Sequence, residues 1–449
     1  MSYQDNAGII GPARSFPRRK SADGGARVAT TRNRRSRVPV AIVGWLSRPL
    51  ASFHLVLALC GLLTLLGVIM VLSASSAQPG GVYSTFQKHV IFVLIGLVAL
   101  WAGLRIPLRR IRSLSPMLML VTLVLLALVL TPFGAKVNGA QRWFALGPLT
   151  LQPVEVAKVA LTLWGAHILV VKARLLHHWR HLLVPLVPVA LLMFALVMAQ
   201  PNLSGTISLG IVLLSLLWFS GAPGRLFAAL LAGGVGGFVV LALVADYRLA
   251  RVLSFLSPDA DTSGAGYQAV QAQYALAEGG LFGVGLGQGA SKWKYLPNVQ
   301  NDFIFALIGE ELGFLGCAVV LLLFGGLALV GLRIATRNLD PWIRIVAATI
   351  TVLLVAQAAV NIGYVVNALP VTGVTLPLVS YGGTSLIVTM FLFGVLASCA
   401  RHEPAAVADL NHLGPGKIGR VLRLPVPEPY RPVRASGKTT RARRPVRPR

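Results

Sequence analysis

The sequence predicts an all-α, polytopic membrane protein with about ten transmembrane helices. The chain of 449 residues is 55% hydrophobic and only 12% charged, and its mean hydropathy is +0.73. Because soluble domains carry about 25% charged residues, this composition excludes a soluble globular protein. The apolar stretches are continuous and do not alternate with polar residues, which favours helices over a β-barrel.

The predicted spans follow from apolar runs that approach the roughly 20 residues needed to cross a bilayer. An even number of spans puts both termini on one side of the membrane. The inner connections then hold 11 Lys and Arg residues and the short outer connections hold 3, so the positive-inside rule places the termini in the cytoplasm. The predicted spans are residues 51–73, 90–104, 116–132, 156–171, 182–199, 205–220, 226–245, 303–334, 343–366 and 385–400.

The two ends of the chain hold much of the formal net charge of +27. Residues 1–48 contribute +8 and residues 401–449 contribute +9, and neither end shows apolar periodicity. Both are predicted to be disordered, basic cytoplasmic tails that flank a ten-helix domain at residues 49–400. We expect the tails to bind the lipid surface or a cytoplasmic protein. No nucleic acid is expected, since no basic face is interleaved with aromatic residues.

Three outer connections stand out, at residues 133–153, 246–302 and 367–384. The second joins predicted helices 7 and 8, and loops of that length are usually functional or disordered. Within it, residues 279–293 are dense in glycine. With no preceding strand this pattern does not support a nucleotide-binding site, and it is interpreted as a flexible turn. Any chemistry is therefore expected on the outer side.

Ionisable residues at the spans mark candidate functional positions. Glu155 and Lys158 open the fourth span at i, i+3 and share a helix face, either as a structural cap or as a polar pocket near the outer surface. Asp302 stands where the long outer loop enters the eighth span, where an aspartate can be an N-cap or a catalytic group. The adjacent Glu310 and Glu311 cannot both face one pocket, and their simplest interpretation is a structural pair.

Cations lie near these acids in the sequence. Arg142 precedes Glu155 in an outer connection, and Lys292 and Lys294 precede Asp302. The three cysteines are widely spaced and no complete set of metal ligands is present, which excludes a cysteine metal cluster. These cations are candidate partners for an anionic substrate.

Five segments carry a more specific pattern, and they read NGAQRWFALGPLTLQPVEVAK, AQPNLSGT, YQAVQAQYALAEGGLFGVGLGQG, LPNVQNDFIFALIGEELGFLG and LPVTGVTLPLVSYGGTS. In this order they resemble the signatures of the SEDS family, the shape, elongation, division and sporulation proteins of bacteria. The resemblance covers the core and leaves both tails outside. Within the family, VIMVLSASS at residues 68–76 and the long basic tails favour the division branch over the elongation branch.

The resemblance implies a SEDS-type bundle that polymerises lipid II into glycan strands at the outer face of the cytoplasmic membrane. It implies a septal location, with a class B penicillin-binding transpeptidase and other divisome membrane proteins as partners. It also implies a catalytic aspartate at Asp302 and substrate-binding residues at Arg142, Glu155, Lys158 and Ser380. The chain departs from the usual family pattern at Val154, Asn298, Gln300 and Asn301, which weakens any direct role for the residues beside Asp302.

A mechanism can be formulated on this basis. Asp302 would accept the proton of a sugar hydroxyl as its oxygen attacks the anomeric carbon, with inversion. A diphosphate leaving group needs no second carboxylic acid, in contrast to glycoside hydrolysis. It needs positive charge instead, for which the sequence offers Arg142, Lys158, Lys292 and Lys294. A bridging divalent cation, Mg²⁺ or Mn²⁺, is a further candidate.

Three alternatives stay open at this point. The intramembrane Glu and Lys residues could form the path of a lipid II flippase, although no internal repeat is evident. The chain could be a scaffold that recruits a transpeptidase without activity of its own. It could also be a polymerase of the elongation branch.

Overall fold

The computed structural model describes residues 48–76, 83–137, 140–147, 149–173, 184–244, 255, 265–295 and 299–430. Within these residues the fold is a bundle of apolar helices, which confirms the predicted all-α class. The bundle helices are α1 (Ala51–Ser75), α2 (Ser84–Arg105), α3 (Leu108–Leu128), α4 (Pro153–Val171), α5 (Leu186–Ala199), α6 (Leu203–Phe219), α7 (Gly224–Val244), α9 (Ile304–Arg337), α10 (Pro341–Val365) and α11 (Thr384–Arg401).

Each predicted span overlaps one of these helices. In the described part of the chain, seven helices are long and apolar enough to cross a membrane, namely α1, α2, α3, α4, α9, α10 and α11. The apolar helices α5 and α6, and the part of α7 at Gly224–Gly234, are shorter. The chain is therefore a multi-pass membrane protein, and the count of ten crossings stays a prediction.

Small residues bring α2 and α11 into close contact. A side-chain carbon added at Gly103 would lie 2.7 Å from the carbonyl oxygen of Phe391. One added at Gly394 would collide with the carbonyl oxygen of Leu100. Close backbone approach at glycine is a common mode of packing between membrane helices, and here it fixes the two helices at a short separation.

A small antiparallel sheet in the connection between α3 and α4 adds strands to the predicted fold. It comprises β1 (Ala135–Val137), β2 (Ala140–Leu146) and β3 (Leu149–Leu151), in the order β1-β2-β3. Phe144 of β2 pairs with Leu151 of β3. Because β3 ends two residues before α4 begins, the sheet lies directly at the start of that helix.

The glycine-dense segment after α8 (Ala265–Gly279) is part of the packing. Helix α9 is interrupted at Gly313, whose φ of 69° and ψ of −166° are not helical. The N–H groups of Val284 and Gly285 donate to the carbonyl oxygens of Glu310 and Glu311, at 2.9 and 3.1 Å. Two N–H groups beyond the break donate back to the same segment. The interpretation of this segment as a flexible turn is therefore wrong, because its backbone satisfies the groups freed by the break.

The ends of the chain differ partly from the prediction. Residues 1–47 and 431–449 lie outside the described residues, so the predicted disorder there is untested. The prediction of a disordered tail from residue 401 onward is wrong for its first part, where helices α12 (Pro404–Leu413) and α13 (Gly416–Val421) follow α11. Ala406 and Leu410 of α12 are buried, so an apolar face holds this helix on the bundle.

Candidate functional site

Asp302 lies two residues before the start of α9 and is half-buried. Its main chain is anchored by the last turns of α10. The side-chain amide of Asn361 donates to the carbonyl oxygen of Asp302 at 2.9 Å, and the hydroxyl of Tyr364 lies 2.7 Å from the same oxygen. Both contacts are made to the backbone carbonyl oxygen. They therefore position Asp302 without using its carboxylate oxygens as acceptors.

The loop at residues 366–383, here called the re-entrant loop, lies against Asp302. The same Asn361 amide donates to the carbonyl oxygen of Val374 at 2.7 Å. Gly373 has a φ of +74°, and a side-chain carbon there would lie 3.6 Å from Oδ2 of Asp302. A glycine at this position supplies the left-handed backbone and places no side chain beside the carboxylate.

The re-entrant loop packs into the bundle against Gly67 of α1, about two turns from the end of that helix. Leu378 and Val379 are buried, and a side-chain carbon at Gly67 would lie 2.5 Å from the carbonyl oxygen of Leu378. Irregular backbone at this depth is tolerated only where protein surrounds it. The loop is thus an internal wall of the site.

Ser380 organises a turn of the re-entrant loop. Its hydroxyl oxygen accepts a hydrogen bond from the N–H of Leu376 at 2.9 Å, and its own N–H donates to the carbonyl oxygen of Leu376 at 3.0 Å. The residue is buried. Its geometry is that of a turn-forming residue, and its predicted contact with substrate stays a prediction.

Glu155 and Lys158 form a buried ion pair in the first turns of α4. The ammonium of Lys158 lies 2.6 Å from Oε2 of Glu155, and the side chains are only 4% and 10% exposed. The expectation that i, i+3 spacing places them on one helix face is confirmed. A buried carboxylate with a buried partner needs that partner to remain charged, so the two act as a unit.

Arg142 fastens strand β2 to the connection between α5 and α6. Its guanidinium donates to the carbonyl oxygen of Gln200 at 3.2 Å and to that of Pro201, and it lies 5.8 Å from the ring centroid of Trp143. The side chain is half-buried. It therefore connects the small sheet to the end of the bundle at which α4 begins.

Thr384 links the small sheet to the re-entrant loop. Its hydroxyl donates to the carbonyl oxygen of Thr150 and accepts from the N–H of Gln152 at 3.3 Å. Thr384 directly follows the loop, and Gln152 directly precedes α4. The elements that carry Arg142 and Glu155 are in this way joined to the loop that lies against Asp302.

Lys292 is enclosed in the protein. Its ammonium lies 3.3 Å from Oε1 of Glu311 and donates to the carbonyl oxygen of Gly287 at 2.5 Å, with side-chain exposures of 1% and 0% for the two charged residues. Ser73 of α1 donates to the same carboxylate at 2.6 Å. Direct contact of Lys292 with a substrate would require this ion pair to open. The side chain of Lys294 lies outside the described part of the structure.

Glu310 binds the same segment as Glu311. Its Oε1 accepts from the N–H groups of Ala290 and Ser291, at 2.6 and 3.0 Å, and Ser291 adds a hydroxyl contact. The two acids contact different parts of this segment, Glu310 at Ala290 and Ser291 and Glu311 at Lys292, and the expectation that they do not both face one pocket stays a prediction. Their interpretation as structural groups is supported by these hydrogen bonds.

Sequence reasoning missed several polar side chains that build this site. Asn361 and Tyr364 tie Asp302 to the re-entrant loop, and Ser73 completes the environment of Glu311. The signal available was their polarity inside apolar spans, which marks function or structure by default. Within the described residues, no cluster of three or more His, Cys, Asp or Glu side chains could hold a metal ion.

Replacing Gly67 with alanine is expected to destabilise the bundle. The new methyl group would lie 2.5 Å from the carbonyl oxygen of Leu378 and 2.9 Å from Cα of Val379, and backbone atoms cannot rotate away. We expect a loss of about 1–3 kcal/mol in the free energy of unfolding, measured in detergent. Gly61→Ala on the same helix is the control, since nothing lies within 4 Å there. Equal stability of the two variants would contradict the close approach.

Comparisons with known proteins agree with the resemblance found in the sequence. Residues 53–405 match the model of the FtsW, RodA and SpoVE cell cycle protein family. The "probable peptidoglycan glycosyltransferase FtsW" of Mycobacterium tuberculosis is 47% identical over 404 residues, which cover 89% of this chain and 77% of the relative. Stage V sporulation protein E of Bacillus subtilis is 38% identical over 348 residues, which cover 76% and 95% of the two chains.

Solved structures show the same fold. A chain from a study of how a peptidoglycan synthase complex coordinates polymerization and crosslinking superposes with a TM-score of 0.65 at 28% identity, covering 78% of this chain and 97% of that chain. The crystal structure of the rod shape determining protein RodA of Thermus thermophilus gives a TM-score of 0.56 at 27% identity, covering 78% and 96%.

Proposed function

This chain belongs to the FtsW, RodA and SpoVE family of cell cycle proteins, and from that premise we propose that it is an inverting peptidoglycan glycosyltransferase of the division septum. It polymerises lipid II into glycan strands at the outer face of the cytoplasmic membrane. The identity of 47% to an FtsW protein, against 27% to a RodA structure, favours the division branch over the elongation branch.

The observation that carries the proposal is the placement of Asp302. The half-buried Asp302 stands just before the start of α9, where the long outer loop enters the bundle, and Gly373 places no side chain beside its carboxylate. A general base must be held in reach of the proton that it accepts. The contacts of Asn361 and Tyr364 to the Asp302 backbone supply that positioning.

In the proposed reaction, Asp302 takes the proton of the acceptor sugar hydroxyl. The hydroxyl oxygen attacks the anomeric carbon of the donor from the face opposite the diphosphate, and the bond between that carbon and the diphosphate oxygen breaks. An α-linked donor thereby becomes a β-linked unit of the strand. The diphosphate leaves with its negative charge on the polyprenyl carrier, and cations stabilise that charge.

Arg142 is the cation best placed to serve the diphosphate, since Thr384 joins its sheet to the re-entrant loop. Lys158 could serve it only if its ion pair with Glu155 opened. Lys292 acts indirectly, because its ammonium is engaged with Glu311. The proposal keeps a divalent cation as an added source of positive charge, which the diphosphate itself would hold. A chelator added to the polymerisation assay tests this part, and undiminished activity would remove the cation from the proposal.

The proposal also covers partners and placement. A class B penicillin-binding transpeptidase and other divisome membrane proteins would receive the new strand, and a similar chain from a synthase complex that couples polymerization to crosslinking supports this. The excess of Lys and Arg in the inner connections supports cytoplasmic termini. A fluorescent fusion should therefore localise to mid-cell rather than to the side wall.

The proposal is tested with the purified full chain in detergent. Lipid II is added and the products are separated by gel electrophoresis. Long glycan strands are expected, and since no sealed bilayer is present they cannot arise from flipping. The absence of polymer, combined with transport of lipid II in sealed vesicles, would favour the flippase instead. A protein that does neither would fit the scaffold.

Removing either member of the Glu155–Lys158 pair is expected to slow polymerisation. Glu155→Gln leaves a buried ammonium without its partner, and Lys158→Ala leaves a buried carboxylate, each of which is strongly unfavourable. We expect at least a tenfold lower rate, or about 1.4 kcal/mol. Thermal unfolding of the same variants separates lost chemistry from lost fold, and full activity in both variants would exclude a role for the pair.

A further inference from the structure

A cavity of about 400 Å³ lies at the end of the bundle opposite Asp302. Asp302 lies two residues before the start of α9, and two residues that follow the far end of that helix, Asn338 and Asp340, line the cavity. The other walls are the connection between α2 and α3, the end of α11, and the extended segment 425–430, which reads PVPEPY. A cavity of this size matches ordinary small-ligand sites.

Three arginines line this cavity, and only one of them has an acidic partner. Arg109 pairs with Glu428 at 2.7 Å. Arg112 donates from Nε to Nδ1 of His167 at 3.2 Å. Within the described residues, neither Arg112 nor Arg401 forms an ion pair.

The acidic side chains of the cavity are already engaged. Glu428 is held by Arg109, and Asp340 caps α10 by accepting from the N–H of Trp342 at 2.8 Å. Burial holds the pKa of His402 below its ordinary value, so this lining imidazole adds no positive charge at neutral pH. Three guanidinium groups (Arg109, Arg112, Arg401) and two carboxylates (Asp340, Glu428) line the cavity, so its lining carries one net positive charge.

Arg401 is the arginine of this cavity whose guanidinium most clearly lacks a hydrogen-bond acceptor. The residue is 4% exposed, and its Nη2 is buried with no hydrogen-bond partner. The nearby ring of Phe53, 5.9 Å from the guanidinium carbon, cannot accept an in-plane N–H hydrogen bond. A buried guanidinium without an acceptor is costly, and each such group in a native structure calls for a ligand, an ion or a water.

We infer that this cavity is a binding site for an organic phosphate, held by Arg112 and Arg401 beneath the proline-rich segment 425–430. A phosphate group accepts paired hydrogen bonds from guanidinium groups, and it would neutralise the charge that the cavity leaves unbalanced. The volume exceeds that of a bare phosphate and fits a phosphorylated head group. The ligand is therefore either the head group of an anionic phospholipid or a soluble phosphate ester.

The test uses the full chain purified in neutral detergent and depleted of lipid. Thermal unfolding is followed during titration with phosphatidylglycerol, with phosphatidylcholine as the zwitterionic control, and separately with glycerol 3-phosphate against sodium chloride of equal ionic strength. The variants are Arg112→Gln and Arg401→Gln. The control is Arg110→Gln, which removes the same charge from an exposed position on α3 outside the cavity.

Stabilisation by phosphatidylglycerol alone identifies a lipid ligand, and stabilisation by both probes identifies a site open to soluble esters. In either case Arg112→Gln should weaken the apparent affinity about tenfold or more, while Arg110→Gln leaves it unchanged. Arg112→Gln keeps the test decisive if Arg401→Gln fails to fold. No stabilisation by either probe, or an equal loss in Arg110→Gln, overturns the inference. The result does not depend on the proposed polymerase activity.

Discussion

Asp302→Asn is expected to eliminate detectable polymerisation of lipid II while the bundle stays folded. The amide cannot accept a proton at neutral pH, and a positioned general base contributes about 10²–10⁴-fold to a rate. The fold should tolerate the change, because asparagine has nearly the shape of aspartate and the contacts from Asn361 and Tyr364 to the backbone carbonyl of residue 302 are kept.

The measurement is the detergent assay with matched thermal unfolding curves. Glu278→Gln is the control, since it neutralises an exposed acid at the end of α8, in the same connection between α7 and α9. Asp302→Glu is a second probe, because it keeps the carboxylate and moves it by one methylene group; a low but measurable rate is expected. Strands formed by Asp302→Asn at the wild-type rate would mean that another group is the base.

The bundle helices were predictable because their determinants are local. A continuous apolar run of sufficient length has few alternatives to a membrane helix, and each predicted span overlaps an observed helix. The pairing of Glu155 with Lys158 was predictable for the same reason, since i, i+3 spacing on a helix sets the distance between side chains whatever surrounds them.

The environment of Asp302 could not be predicted in the same way, because it is built by tertiary contacts between residues that are far apart in the sequence. Ser73 reaches Glu311 across 238 residues of sequence, and the turn at Gly373 comes beside Asp302 only after α10 has returned to the end of the bundle at which α9 begins. The interruption of α9 at Gly313 is stabilised by a segment that precedes the helix. No periodicity within either segment encodes that pairing.

The tail after residue 401 shows how composition can mislead. Its Pro, Gly and Arg content is typical of disorder, and this masked the short apolar face of α12. A ten-residue helix has little intrinsic stability. Burial of Ala406 and Leu410 against the bundle is what orders it.

Breaking the Lys292–Glu311 pair is expected to have the largest effect on stability. Both side chains are almost fully buried, at 1% and 0% exposure. The removal of one partner therefore leaves the other charge buried without a counter-charge. We expect Lys292→Met or Glu311→Leu to lower the free energy of unfolding by about 3–5 kcal/mol. The exposed pair Arg109–Glu428, at 74% and 70% exposure, is the control, and Glu428→Gln should cost at most about 1 kcal/mol.

The double variant Lys292→Met/Glu311→Leu distinguishes a structural pair from a substrate-binding lysine. Removal of both charges leaves no unpaired buried ion. The free energy of unfolding should therefore recover substantially relative to either single variant. If Lys292 acts only by holding residues 287–292 against α9, the recovered protein should polymerise lipid II with a nearly normal KM. If its ammonium instead meets the diphosphate, KM should stay raised in the double variant although the fold is restored. Failure of the double variant to recover stability would mean that Ser73 and the carbonyl of Gly287, left without their ionic partners, matter more to this junction than the pair itself.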